Sequence, residues 1–251
     1  MRITTVINQK GGVGKTTTAH ALATGLTKRG HKVLSVDMDP QGNLSFTMGA
    51  STTGPSLYEA MREEAEASAV IRSTGQGDIL PSSLLLAAAD MEFTATGREW
   101  ILDTLLSPIK ERYSHIIIDS PPTLGILTIN ALTASTDVVI PMGADIYSLQ
   151  GLYQLHSTIA KVRHYCNKNL KIAGLLLTRY NPRSVLSRDL REGIEEKAAE
   201  LNAHLYSTFI REGIMVKEAQ TNQQSLYAYA PKSNPAQDYE SFVSEYLAQG
   251  S

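Results

Sequence analysis

A single cysteine, Cys166, in 251 residues excludes an intramolecular disulfide framework and leaves too few thiols for a Cys-rich metal or iron–sulfur site. It fits a reducing compartment. No stretch approaches the ~18–20 apolar residues needed to span a bilayer. The first residues run straight into a strand-like segment, without the basic-then-apolar layout of a secretory signal. Formal net charge is −2, so the molecule as a whole is not a polycation. Internal repeats, low-complexity tracts and linkers are also missing. These absences lead us to expect a cytoplasmic protein that forms one domain over residues 1–251.

What is present is an alternation of strand-like and helix-like stretches, the pattern of an α/β domain. Ile3 to Ile7 is a short β-branched run that feeds a glycine-rich loop. From Thr16 the chain reads as a helix, with Ala19, Leu22, Ala23 and Leu26 on one face and Gly30 placed to end it. Lys32–Asp37 is the next strand, completing a βαβ unit, and the loop MDPQGN follows. Residues 51–75 are Ser/Thr-rich and then Glu/Ala-rich, which predicts a loop and an exposed helix. A short strand is expected over Asp78–Ser82. The apolar runs His115–Asp119, Val138–Met142 and Ile172–Thr178 suit strands covered on both faces. The fold expected is a P-loop NTPase: a twisted, mostly parallel sheet with helices on both sides.

The glycine-rich loop carries the chemistry. The phosphate-binding pattern G-x-x-x-x-G-K-[ST] ends here in Gly14-Lys15-Thr16, yet Gln9 stands where its first glycine belongs, and a second lysine, Lys10, precedes the loop. Gly11, Gly12, Val13 and Gly14 let successive N–H groups converge on an anion, and the following helix aims the positive end of its dipole there. Lys15 is suited to the β- and γ-phosphates, and Thr16 to Mg²⁺. Asp119 ends an apolar run where a Walker-B aspartate would organise the metal. Asp37 and Asp39 end the strand after the P-loop helix, on the edge where open α/β sheets bind ligands. Asp39 is a candidate for positioning the metal or the attacking water. His20, His31, His115, His156, His164 and His204 show no metal-ligand spacing.

KGGVGKTT, DMDPQGN and IIIDSPPTLG, with LLLTRYNPRSVLSRDL and VKEAQTNQQSLYAYAPKSNPAQDY later, resemble the deviant Walker A ATPases of the ParA/Soj group over nearly the whole chain. The resemblance implies ATP and Mg²⁺ as ligands, with Lys10 to Thr17 around the phosphates. It implies a homodimer in the ATP state, Lys10 reaching the partner's nucleotide. It also implies non-specific binding of double-stranded DNA, a ParB-like centromere-binding partner that stimulates slow hydrolysis, and a nucleoid-associated location. NQKGG is ParA-like, whereas MinD and nitrogenase-iron-protein relatives usually have glycine at the Gln9 position.

Appendages separate the relatives. MinD-type proteins end in a basic amphipathic helix; this chain ends in the acidic QDYESFVSEYLAQGS, so no membrane anchor is expected. The eleven tyrosines are spread from Tyr58 to Tyr246, which suits packing better than a tyrosine-kinase tail. With Lys10 nine residues from the first residue given, no N-terminal DNA-reading domain is expected. Between Lys161 and Arg191 eight basic residues face one acid, Asp189, giving 8 − 1 = +7 in a chain of net −2. A solvated face is the plainer reading of such a run. The family resemblance favours DNA: Arg183 matches a family DNA-contact arginine, and Arg188 lies nearby. A second contact position falls on Met215, with Lys217 a possible substitute. Arg179 is a candidate for the adenine pocket. A MinD-like positioning ATPase and an ATP-switched regulator with little hydrolysis remain the alternatives.

Overall fold

The computed structural model describes residues 1–51 and 53–249. Among these residues, eight strands form one sheet in the order β3-β4-β2-β5-β1-β6-β7-β8. They are β1 (Arg2–Val6), β2 (Val33–Asp37), β3 (Arg72–Thr74), β4 (Gly77–Leu80), β5 (His115–Asp119), β6 (Asp137–Met142), β7 (Lys171–Thr178) and β8 (Leu205–Ile210). All pairings are parallel except β3 with β4, an edge hairpin. The expected α/β architecture is therefore present. Every strand expected from an apolar run is found within a residue or two of its ends. The strands without an expectation, β3 and β8, lie at the sheet's edges, where one-sided exposure breaks the apolar run.

Parallel pairing requires crossovers, and helices supply them on both faces. The first half contributes α1 (Lys15–Lys28), α2 (Asn43–Thr47), α3 (Leu57–Met61), α4 (Ala67–Val70), α5 (Ala89–Glu92) and α6 (Ile101–Leu106). The second half contributes α7 (Ile126–Ala134), α8 (Ile146–Tyr165), α9 (Val185–Glu200), α10 (Ile214–Thr221), α11 (Leu226–Tyr229) and α12 (Asn234–Ala248). The exposed helix expected within 51–75 is corrected. Leu57, Tyr58, Ala60 and Met61 of α3 are buried in the core beside β2 and β5 residues. A capping box of Ser56 and Glu59 starts α3, so the glutamate serves the helix end while the apolar residues turn inward.

One core cluster packs α1 directly against α12 and the sheet, with Leu22, Leu26, Tyr239, Phe242 and Tyr246 fully buried. The apolar face of the C-terminal helix is thus packed on α1 and β8. Among the described residues, no helix is long and apolar enough to cross a membrane. Tyr58, Tyr180, Tyr206, Tyr227, Tyr239 and Tyr246 pack inside, as the tyrosine spacing suggests, whereas Tyr153 and Tyr165 are exposed.

Candidate nucleotide and metal site

The site lies at the carboxyl edge of the parallel strands, between β1 and α1. Gly12 (φ 74°) and Gly14 (φ 84°) adopt the left-handed backbone that side chains resist. A Cβ on Gly11 or Gly12 would meet no atom within 4 Å, so the space beside these two residues is open. The first N–H groups of α1 have no side-chain cap. N–H groups without a side-chain cap, a left-handed turn and a helix start together make an anion cradle. Thr178 secures the loop from β7, donating to the carbonyl oxygen of Val13 at 2.8 Å.

Lys15 is buried, and its Nζ donates to the carbonyl oxygen of Lys10 at 3.1 Å. Burial lowers its pKa, and the nearby Asp119 and Asp39 oppose that shift. Thr16 follows it in the first turn of α1, and the Thr17 hydroxyl accepts from Gln220 of α10 at 3.1 Å.

Asp119 and Asp39 act on the charge of this lysine, and Asp37 lies beside them. Asp37 and Asp119 end adjacent strands and face each other in register. Both are fully buried. Asp37 accepts the N–H and the hydroxyl of Ser45, each at 2.7 Å. Burial nevertheless pushes it up to about 6, with the charge of Asp39 adding to the rise. Among the described residues, neither oxygen of Asp119 has a hydrogen-bond partner. Burial, then Asp37, hold Asp119 well above the usual carboxylate range, although the Thr16 hydroxyl and Lys15 lie near enough to favour its ionised form. Asp39 is also buried and accepts the N–H of Gln41 at 3.0 Å.

A buried carboxylate with no donor is costly unless a cation completes it. Mg²⁺ is usually held by one or two carboxylates together with phosphate oxygens. Thr16 and Asp119 beside the open cradle fit that description. Among the described residues, no three His, Cys, Asp or Glu side chains form a protein-only metal cluster. The sequence places Asp37 on this edge without a role, and its pairing opposite Asp119 is a finding of the fold. The signal for a role was present, since both end fully buried strands.

Lys10 takes a different position. Its Nζ donates to Asp145, at the start of α8 in the same chain. The basic run from Lys161 to Arg191 is not one surface. Lys161, Arg163, Lys168 and Lys171 lie at the amino edge of the sheet, where α8 ends and β7 begins. Arg179, Arg183 and Arg188 lie at the carboxyl edge, roughly 23 Å away along β7 at about 3.3 Å per residue. Arg183 and Arg188 are exposed at the start of α9, and Lys217 is exposed on α10. Met215 instead packs against the core, so it offers no polar contact. Arg179, with φ 53°, adjoins Thr178 beside the P-loop and pairs in the open with Glu212 at 2.8 Å.

Residues 1–172 match the family model described as an AAA domain. The chain is 38% identical to the sporulation initiation inhibitor protein Soj of Bacillus subtilis, covering 99% of each chain. It is 35% identical to the chromosome partitioning protein ParA of Caulobacter vibrioides, covering 99% of this chain and 95% of that one. Among solved structures it is similar to a protein named cobyrinic acid a,c-diamide synthase from Mycobacterium smegmatis, with a bound ATP analog and magnesium. That likeness has a TM-score of 0.83 and 32% identity, and covers 100% of this chain and 96% of the other.

Proposed function

Because the chain belongs to the ParA/Soj family of partitioning ATPases, we propose that it is a nucleotide-operated switch in DNA segregation. In this reading residues 1–251 act as one ATPase domain. ATP with Mg²⁺ closes a homodimer, the dimer binds double-stranded DNA without sequence preference, and a ParB-like partner stimulates slow hydrolysis. The protein then works on the nucleoid.

The observation that carries this reading is the open glycine cradle beside Lys15 and the unpartnered carboxylate of Asp119. The cradle N–H groups and Lys15 would bind the phosphates. Thr16 and Asp119 would hold Mg²⁺, which supplies charge neutralisation between the phosphates when bound. Asp39 would orient the attacking water in line with the terminal phosphate. Lys10 would leave Asp145 and neutralise phosphate charge across the dimer. Arg179 would line the adenine pocket.

The test is turnover and mass together. Wild-type protein should hydrolyse ATP with Mg²⁺, and light scattering should show a dimer with ATP but a monomer with ADP. Lys15→Ala should retain its circular dichroism spectrum and lose nucleotide binding or turnover. Unchanged affinity and turnover in that variant would overturn the assignment.

A further inference from the structure

The loops that carry the carboxylates are tied to one segment that supplies none of the proposed nucleotide or metal ligands. Ser82, just after β4, donates its hydroxyl to the carbonyl oxygen of Asp39 at 2.6 Å. Its N–H donates to Ser45 Oγ at 2.9 Å. Ser45 has one hydroxyl proton, and that proton goes to Asp37, leaving a lone pair for Ser82.

At the other end of the segment, Asp90 Oδ1 accepts the N–H of Ile126 at 2.6 Å. Ile126 opens α7, directly after the loop that follows Asp119, and α7 has no side-chain cap from its own N-cap residue, Gly125. A Cβ on Gly125 would lie 2.3 Å from Asp90 Oδ2, so the absence of a side chain there admits the carboxylate. Between these ends the chain forms a continuous 3₁₀-to-α rod over 84–92, resting on the core through Leu86 and Ala89.

We infer that Ser82 and Asp90 are positioning residues: the segment 82–90 is a strap that ties the Asp39 loop to the Asp119 loop and sets their spacing. The inference rests on the ATPase reading for its effect on turnover, but the tie itself is a property of the nucleotide-free chain. Asp90 is solvent-exposed, so its role is the hydrogen bond rather than burial.

The experiment compares Ser82→Ala, Asp90→Ala and the conservative Ser82→Thr and Asp90→Asn, which keep a hydroxyl and an acceptor oxygen. Hydrogen–deuterium exchange in nucleotide-free protein is the first readout. Each alanine variant should speed exchange in both 38–45 and 122–127, by roughly tenfold for loss of one hydrogen bond. The second readout is ATP turnover. There kcat should fall while KM stays within about twofold, and the conservative variants should recover most of the loss. Loosening confined to the loop that each residue touches would overturn the strap, as would an unchanged kcat in both alanine variants of an active enzyme. Wild-type protein without turnover would instead fail the ATPase reading, and the exchange result would then decide the strap alone.

Discussion

Lys10 Nζ donates to both carboxylate oxygens of Asp145, each at 2.8 Å, within one chain. Asp145 also caps α8, accepting the N–H of Ser148 at 3.0 Å. Burial alone would raise this carboxyl, but the hydrogen bonds from Lys10 and Ser148 outweigh it and lower its pKa. The pair is about 40% exposed on each side, which limits its strength to ~0.2–1 kcal/mol. A contact of that strength holds the lysine in the single chain at a cost that a phosphate charge would exceed if Lys10 acts as proposed.

This competition predicts opposite effects for the partners. Asp145→Ala should tighten ATP-driven dimerisation by a few-fold, the size of an exposed ion pair. It should also lower thermal stability by ~1 kcal/mol through the lost cap. Lys10→Ala should weaken dimerisation and turnover more than nucleotide binding by the single chain. Light scattering across a protein dilution series with ATP measures both. If Asp145→Ala dimerises no more tightly than wild type, the two contacts do not compete.

Asp39→Ala should accumulate an ATP-bound dimer with little turnover. Its carboxylate lies close enough to Lys15 to act on that lysine's charge, whereas Asp37 is already engaged by Ser45. Native turnover in the variant would move the water-orienting role elsewhere, with Asp119 the next candidate.

DNA binding should depend on the carboxyl-edge cations and not on the amino-edge group. Arg183→Glu should reduce affinity to a similar degree on two unrelated duplexes and make the salt dependence shallower, while sparing ATP-driven dimerisation. Each lost phosphate contact should lower the slope of log affinity against log salt by roughly 0.9. Lys168→Glu, at the far end of β7, serves as the charge-matched control and should leave binding nearly unchanged. Equal loss in both variants, or binding that ignores salt and nucleotide, would contradict this surface.

Acid should destabilise the protein through its buried histidines. His20 Nε2 donates to Gln76 Oε1 at 2.8 Å, and burial pushes its pKa down to about 4, with His115 pushed down to about 4 as well. The unfolded chain takes up these protons near 6.5 and the folded chain does not, so stability falls as pH drops from 6.5 and stops falling near 4. For His20 this amounts to about 2 kcal/mol between about pH 7.5 and about pH 5. Asp37 and Asp119 are pushed upward and contribute with the opposite sign, so the informative quantity is a difference. Urea unfolding of His20→Gln should show a smaller loss than wild type over that range. Parallel pH curves for the two proteins would refute it.

The sequence alone determined the features that depend on neighbouring residues. A glycine turn before a helix, an aspartate ending a buried strand and a continuous apolar run are each written in a few consecutive positions. Local backbone freedom and side-chain periodicity act on that scale, so the P-loop, the central strands and Asp39 and Asp119 were legible. Tertiary structure decided what depends on strand order and crossover direction. Placing β5 between β1 and β2 brings Asp119 opposite Asp37. The crossover after β6 brings Asp145 to Lys10 across a separation of 135 residues. The span of β7 divides a contiguous basic run into two distant groups. The same burial that makes strands readable hides these pairings, because an apolar run records that a strand is covered but not which strand lies beside it.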